Sequence, residues 1–90
     1  MVYKVILSDK AEKGIDLFEK AGNKIALKKI NTLLDELKEH PKTGTGKPEF
    51  LKYRDCWSRR IDKEHRLCYR IYDDKVVVLV LTVYGHYEDN

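Results

Sequence analysis

Cysteine is scarce in this sequence: Cys56 and Cys68 are the only two in 90 residues. No Cys-x-x-Cys pair and no His/Cys cluster with metal-ligand spacing occurs, so a structural zinc site is excluded and no metal or cofactor is expected. Two thiols do not make a disulfide framework, and they read as reduced and half-buried. Long hydrophobic runs are missing too. The longest, VVVLVL at 76–81, is far too short for a membrane-spanning helix. The opening MVYKVILSD alternates like a strand and lacks the apolar centre of a leader peptide, so a soluble, cytoplasmic protein with no membrane contact is expected. Both prolines and two of the five glycines fall in PKTGTGKP at 41–48. That stretch is the one linker-like loop, and it is too short to divide domains. Repeats and low-complexity segments are absent, and residues 1–90 read as a single domain.

Charge is plentiful and unevenly spread. Residues 1–37 carry seven Lys and six acids, residues 38–70 ten Lys or Arg and five acids, and residues 71–90 one Lys and four acids. The net charge is therefore +1, +5 and −3 along the chain, and the overall +3 hides a basic middle third. Such an asymmetry points to a polyanion partner, nucleic acid first.

The hydrophobic period divides the chain in two. Val2 to Leu7 alternates as a strand. Ser8 and Asp9 are N-cap residues, and Ala11, Ile15, Phe18 and Gly22 then step at helical spacing. Gly14 weakens that helix. Gly22-Asn23 separates it from a second helix whose stripe is Ala26, Ile30, Leu33, Leu34 and Leu37, stopped by Pro41. After the loop the period becomes two. Glu49 to Tyr53, Trp57 to Asp62, His65 to Tyr72 and Val76 to Tyr84 read as strands, with turns at Lys63-Glu64 and Asp73-Asp74-Lys75. The last strand is apolar on both faces, which predicts a central, covered position. The order β-α-α-β-β-β-β is an α+β pattern: a helical hairpin packed on a twisted antiparallel sheet. One sheet face must take the helices, which leaves the other for cations.

WSRRIDKEHRLCYRI at 57–71 holds four Arg, one Lys and one His in a predicted hairpin. Edge strands use one or two charges against aggregation, and Lys is the usual choice. A preference for Arg suits bidentate phosphate contact. Alternation puts Arg66 and Arg70 on one face with Cys68 and Tyr72, and His65, Leu67, Tyr69 and Ile71 on the other. A regular two-residue turn at Lys63-Glu64 would set Arg66 opposite Ile61 and turn Arg60 away, leaving Arg59 on the phosphate face. An irregular turn or a bulge would bring Arg60 there instead. Metal-free cleavage of RNA needs a base for the 2′-OH, an acid for the leaving 5′-oxygen and fixed cations at the phosphate. Glu49, beside Lys47 and Lys52, and His86-Tyr87 after the last strand are of the right types. A tyrosine there can stack on a base. His40 reads as a helix C-terminal cation, and His65 as a structural or orienting residue.

GKPEFLK at 46–52, WSRRIDKEHRLCY at 57–69 and GHY at 85–87 resemble the Txe/YoeB family of the RelE-like superfamily, the toxins of bacterial type II toxin–antitoxin modules. KIALKKINTLLDEL at 24–37 is similar to that family's second helix, so the likeness runs through the chain. The resemblance implies a compact α+β domain and a metal-independent endoribonuclease that cuts mRNA on the ribosome. It also implies a homodimer, neutralised by a YefM-like antitoxin and meeting operator DNA only through the antitoxin complex. Carried over residue by residue, Glu49 is the general base, Arg66 stabilises the phosphate, His86 is the general acid and Tyr87 positions a base. Lys52 and Arg60 would assist RNA binding, with Arg59 as the other candidate of the pair. The sequence departs from the family at Asp55-Cys56, at Cys68 in place of a common Val, and in the acidic extension Glu88-Asp89-Asn90. A second reading is a basic module that holds RNA or the antitoxin without cleaving. A gyrase-directed activity, known for relatives of this fold, needs no Glu-Arg-His set and is disfavoured by the presence of one.

Overall fold

The computed structural model describes residues 2–84. Its elements are β1 (Lys4–Leu7), α1 (Asp9–Lys20), α2 (Lys24–Leu37), β2 (Glu49–Leu51), β3 (Cys56–Arg60), β4 (Arg66–Tyr72) and β5 (Val77–Thr82). Both helices begin where the sequence places a cap. Ser8 Oγ accepts from the Ala11 amide at 3.0 Å and itself donates to the Leu81 carbonyl at 2.7 Å, which pins the start of α1 to β5. Asn23 Oδ1 accepts from the Ala26 amide at 3.0 Å. Gly14 costs helix propensity but has a packing reason: a Cβ there would meet Val83 Cγ2 at 2.8 Å and Tyr84 Cβ at 3.1 Å.

The five strands form one sheet in the order β1-β5-β4-β3-β2. The expected helical hairpin on a sheet is present, with one difference in the pairing. β1 runs parallel to β5, Lys4 beside Val77 and Leu7 beside Val80, so the sheet is mixed. A parallel pair needs a long crossover, and here both helices and three strands intervene. β4, not β5, is the middle strand. β5 is flanked on both sides, but only its Val78 and Val80 are fully buried, while Leu79 and Leu81 on the other face are half-buried.

The helices cover one face. Phe18 of α1 and Ile30, Leu33 and Leu37 of α2 pack with Leu67, Tyr69, Val78, Val80 and Val83 in one buried cluster. Each such side chain contributes about 1.5–3 kcal/mol by leaving water.

Arg59 sits on that same face and is 0% exposed. Its Nε donates to Tyr69 Oη at 3.0 Å and its Nη1 to Glu36 Oε1 at 2.9 Å. Nη2 donates to the carbonyls of His40 and, at 2.7 Å, Thr43. Tyr69 Oη in turn donates a hydrogen bond to the Pro41 carbonyl at 2.7 Å. Glu36 closes the set by accepting from the Thr45 amide at 2.8 Å and from its hydroxyl. A buried cation is tolerated only when it is paired and fully hydrogen-bonded, and this one is. The network ties α2, β3 and β4 to residues 40–45, the first part of the loop that leads into β2.

Removing Glu36 leaves the Arg59 guanidinium buried without its counter-charge. Glu36→Ala is expected to lower unfolding free energy by about 3 kcal/mol, the low end for a broken buried pair because carbonyl partners remain. Tyr69→Phe, which orphans one donor and one carbonyl, should cost about 1–3 kcal/mol. Urea titrations of the two variants check the order. The pH dependence has a defined sign. The Thr45 hydroxyl above all, helped by the Thr45 amide and Arg59, holds the Glu36 carboxyl below the usual range, against burial, which is the second-largest effect and acts the other way. Its contribution is therefore complete above the unfolded value, about 4.3, and is lost as pH falls through the lower folded value. Glu36→Gln should flatten that acid limb of stability between neutral pH and pH of about 3.

Candidate phosphodiester site

The face away from the helices is set by the register of three strands. Glu49 pairs with Ser58 across β2 and β3. Arg60 pairs with Arg66, and Ser58 with Cys68, across β3 and β4. Directly opposed residues in an antiparallel pair share a face, so Glu49, Ser58, Arg60, Arg66 and Cys68 project together. Arg59 and Tyr69 fall on the core side with Trp57 and Leu67.

The connection between β3 and β4 decides this arrangement. It is not a two-residue turn. The amides of Ile61 and Asp62 both donate to the His65 carbonyl, and Asp62 Oδ1 accepts from the amides of Glu64 and His65 at 2.8 and 2.7 Å. This Asx-type turn moves the register by one residue and flips the hairpin's faces relative to a tight turn. The irregular alternative holds, and Arg60 shares the surface with Arg66. Arg59 is corrected: its guanidinium is spent inside the protein and reaches no surface.

Arg66 Nη1 lies 4.0 Å from Glu49 Oε1 and donates to Ser58 Oγ at 3.1 Å. The Arg66 side chain is 24% exposed and that of Glu49 62%. With Lys47, Pro48 and Arg60 they line an open groove of about 360 Å³. Arg66 is held from behind by Ser58, while Glu49 reaches it only loosely. A phosphate can enter between the two without breaking a tight ion pair.

The approach to Glu49 depends on a strained loop. Gly46 has φ +84° and Lys47 φ +53°, both in the left-handed region. The Gly46 carbonyl accepts from the Arg60 amide at 2.7 Å, so the loop extends the sheet edge beside Arg60. A Cβ at Gly46 would meet the Arg60 carbonyl oxygen at 2.9 Å. Lys47 thereby faces the groove, a role for which the reading of the sequence used it only as a neighbour of Glu49. The signal was there, in a lysine between a glycine and a proline one residue before the carboxylate.

Lys52 is exposed in the turn 52–55 and does not line this groove. His65 stacks edge-on against Phe18 with ring centres 5.0 Å apart and lies 4.6 Å from the Tyr84 ring, as a structural histidine should. His40 is beyond the end of α2, exposed, and gives its carbonyl to Arg59. β5 ends with Thr82 opposite Cys68 and runs antiparallel to β4, so the chain leaves the sheet at the Arg66 end. His86 and Tyr87 lie outside the described residues. Cys56 and Cys68 are both buried and form no disulfide. Among the described residues no group of three or more His, Cys, Asp or Glu is placed to hold a metal ion. No described helix is long and apolar enough to cross a membrane.

Gly46→Ala is expected to cost about 1–2 kcal/mol from the left-handed backbone alone, and more from the contact with the Arg60 carbonyl. Thermal unfolding measures the total, and Gly22→Ala, with a left-handed φ but nothing within 4 Å of its Cβ, isolates the backbone part.

Comparison with known proteins identifies the family and the fold. The family described as the YoeB-like toxin of bacterial type II toxin–antitoxin systems matches residues 9–87. Toxin YoeB of Escherichia coli is 42% identical over 64 residues, covering 69% of this chain and 76% of that one. Toxin RelK of Mycobacterium tuberculosis is 45% identical over 65 residues, covering 70% and 76%. Among solved structures, a YoeB/ParE toxin from Agrobacterium tumefaciens superposes with a TM-score of 0.85 at 31% identity, covering 93% of this chain and 99% of that one. The family match, the relatives and the shared fold agree: the chain belongs to the YoeB-like toxins of bacterial type II toxin–antitoxin systems.

Proposed function

We propose that the chain is a metal-independent endoribonuclease that cleaves mRNA on the ribosome and so inhibits translation. The observation that carries this reading is the pairing of an exposed carboxylate with a back-anchored guanidinium, Glu49 and Arg66 at 4.0 Å, on a sheet face that Arg60 and Lys47 make basic. In the proposed step Glu49 takes the proton of a 2′-OH and the 2′-oxygen attacks the adjacent phosphorus. The 5′-oxygen leaves and takes a proton from His86. The products are a 2′,3′-cyclic phosphate and a 5′-OH end. Arg66 and Arg60 neutralise charge that grows on the phosphate oxygens. Tyr87 is assigned to stacking on a base and Lys52 to contact with RNA further from the cleaved bond. Arg59 has no part in this chemistry.

The partners of the chain follow the same reading. A YoeB–YefM complex and a YoeB dimer from Staphylococcus aureus resemble this chain with TM-scores of 0.78 and 0.81, at 33% and 32% identity, and support a YefM-like antitoxin and a homodimer. Operator DNA would be met only through the antitoxin complex, and the site of action would be the cytoplasm.

Glu49→Gln, Arg66→Ala and His86→Ala should each slow mRNA cleavage in a translation extract by about 10²–10⁴-fold. Mapping of 5′-OH ends on the mRNA measures it. Three folded variants that all cut at the parent rate would sink the assignment. A parent chain that binds RNA yet neither cuts mRNA nor arrests translation would favour the binding-only alternative.

A further inference from the structure

Three non-glycine residues among those described have a left-handed backbone: Lys47, Asp55 and Val76. Two of them have a plain reason. Asp55 lies in the turn 52–55, where the Arg54 amide donates to the Leu51 carbonyl at 3.1 Å. Val76 ends a turn in which its own amide donates to the Asp73 carbonyl at 3.2 Å. Reversing a chain between strands commonly takes a residue with positive φ. Lys47 reverses nothing, since it stands between Gly46 and Pro48 on the way into β2. Glycine would hold φ +53° without a steric penalty, and a residue before proline favours extended backbone. Lysine is therefore strained at this position.

The strain is imposed from both sides. The Gly46 carbonyl accepts from the Arg60 amide at 2.7 Å, and Glu49 pairs with Ser58. Between these two fixed points the loop strand advances three residues while β3 advances two. The extra residue is taken up as a bulge, and bulges re-aim side chains. Gly46 and Lys47 both turn left-handed, and Lys47 comes to line the groove with Glu49, Arg60 and Arg66. The hydrogen bonds from Arg59 to the His40 and Thr43 carbonyls keep the preceding loop from relaxing. Lys47 is exposed, and among the described residues no ion pair engages its ammonium.

We propose that Lys47 is a substrate-binding residue of this groove, held in a strained backbone so that its ammonium meets a phosphate oxygen of the RNA beside Arg60 and Arg66. The inference rests on the endoribonuclease reading above and deepens it. Backbone strain persists only where the surrounding structure over-determines it, and it collects where a side chain has to be aimed. Lysine also suits the place. Its ammonium is a compact point charge on a flexible stem, so it can follow a phosphate that the planar arginines meet in fixed geometry. With Lys47 the groove presents three cations against the single carboxylate of Glu49, a balance that fits an anion entering beside that carboxylate.

The test separates the charge from the strain. Lys47→Met keeps the length and the strained backbone but removes the charge. It is expected to slow mRNA cleavage in a translation extract about 10–100-fold, the size of a lost charge-assisted hydrogen bond, with Tm unchanged. Lys47→Gly should lose the same activity yet raise Tm by about 2–4 °C, because relief of strain outweighs the added freedom of the unfolded chain. A residue that served only the fold would lower Tm in both. Lys47→Arg should recover part of the rate. Binding of a fluorescent RNA of roughly six nucleotides, 2′-O-methylated throughout so that no hydroxyl can attack, gives the second readout. Lys47→Met should make the plot of log affinity against log salt shallower by about 0.7. A folded Met variant that cuts at the parent rate, or that binds the blocked RNA with an unchanged slope, overturns the assignment. A lower Tm in Lys47→Gly overturns it too, as does a parent chain that neither cuts mRNA nor binds the blocked RNA. The nuclease reading fails separately: a parent chain that binds the blocked RNA but cuts no mRNA, beside a shallower slope in the Met variant, removes cleavage and leaves the Lys47 contact standing.

Discussion

The buried guanidinium of Arg59 is the constraint on which the rest of this structure depends. It is a full charge inside a small domain, and desolvating it costs several kcal/mol. Glu36, the Tyr69 hydroxyl and the carbonyls of His40 and Thr43 offset that cost together. Because these partners come from α2, β4 and the loop after α2, satisfying one side chain fixes the relative positions of three elements. The loop is the element that gains most. It has few apolar residues to bury, so its order comes from carbonyls that point inward at Arg59, with the buried Pro41 beside them.

That order is passed to the site. Residues 40–45 are held by Arg59, Gly46 is bonded to the Arg60 amide, and Glu49 enters the sheet opposite Ser58. Adjacent arginines thus serve opposite faces of one strand. Arg59 holds the loop from inside, while Arg60 stands outside where that loop delivers the carboxylate. Ser58 works in the same way on a smaller scale, since it is fully buried yet offers its hydroxyl to Arg66. The charged groups proposed for chemistry are therefore oriented by neighbours that have none of that role.

Much of the fold was legible because its signals are local. Ser8 and Asn23 are caps with good hydrogen-bonding geometry, the α2 stripe is regular, and the change of period after residue 48 marks the sheet. The parallel pairing of β1 with β5 was not legible, because it joins segments about seventy residues apart, and period-2 alternation carries no direction. Motif and chemistry single out Glu49 and Arg66, and the fold brings the two within 4.0 Å of each other. The choice between Arg59 and Arg60 had a clue that went unused: Trp57, Arg59 and Ile61 alternate together, and two apolar neighbours mark the core face. An arginine in a basic run draws the eye to phosphate, and burial overrides that expectation when enough acceptors converge.

The sequence by itself determined the two helices, their caps, the strand-rich second half and the family to which the chain belongs. Each of these depends on residue type and short spacing alone. Only the tertiary structure decided which arginine is spent on the interior. A one-residue change of register inverts every side chain in a hairpin, and the Asp62 turn that sets it depends on local hydrogen bonds rather than on pattern.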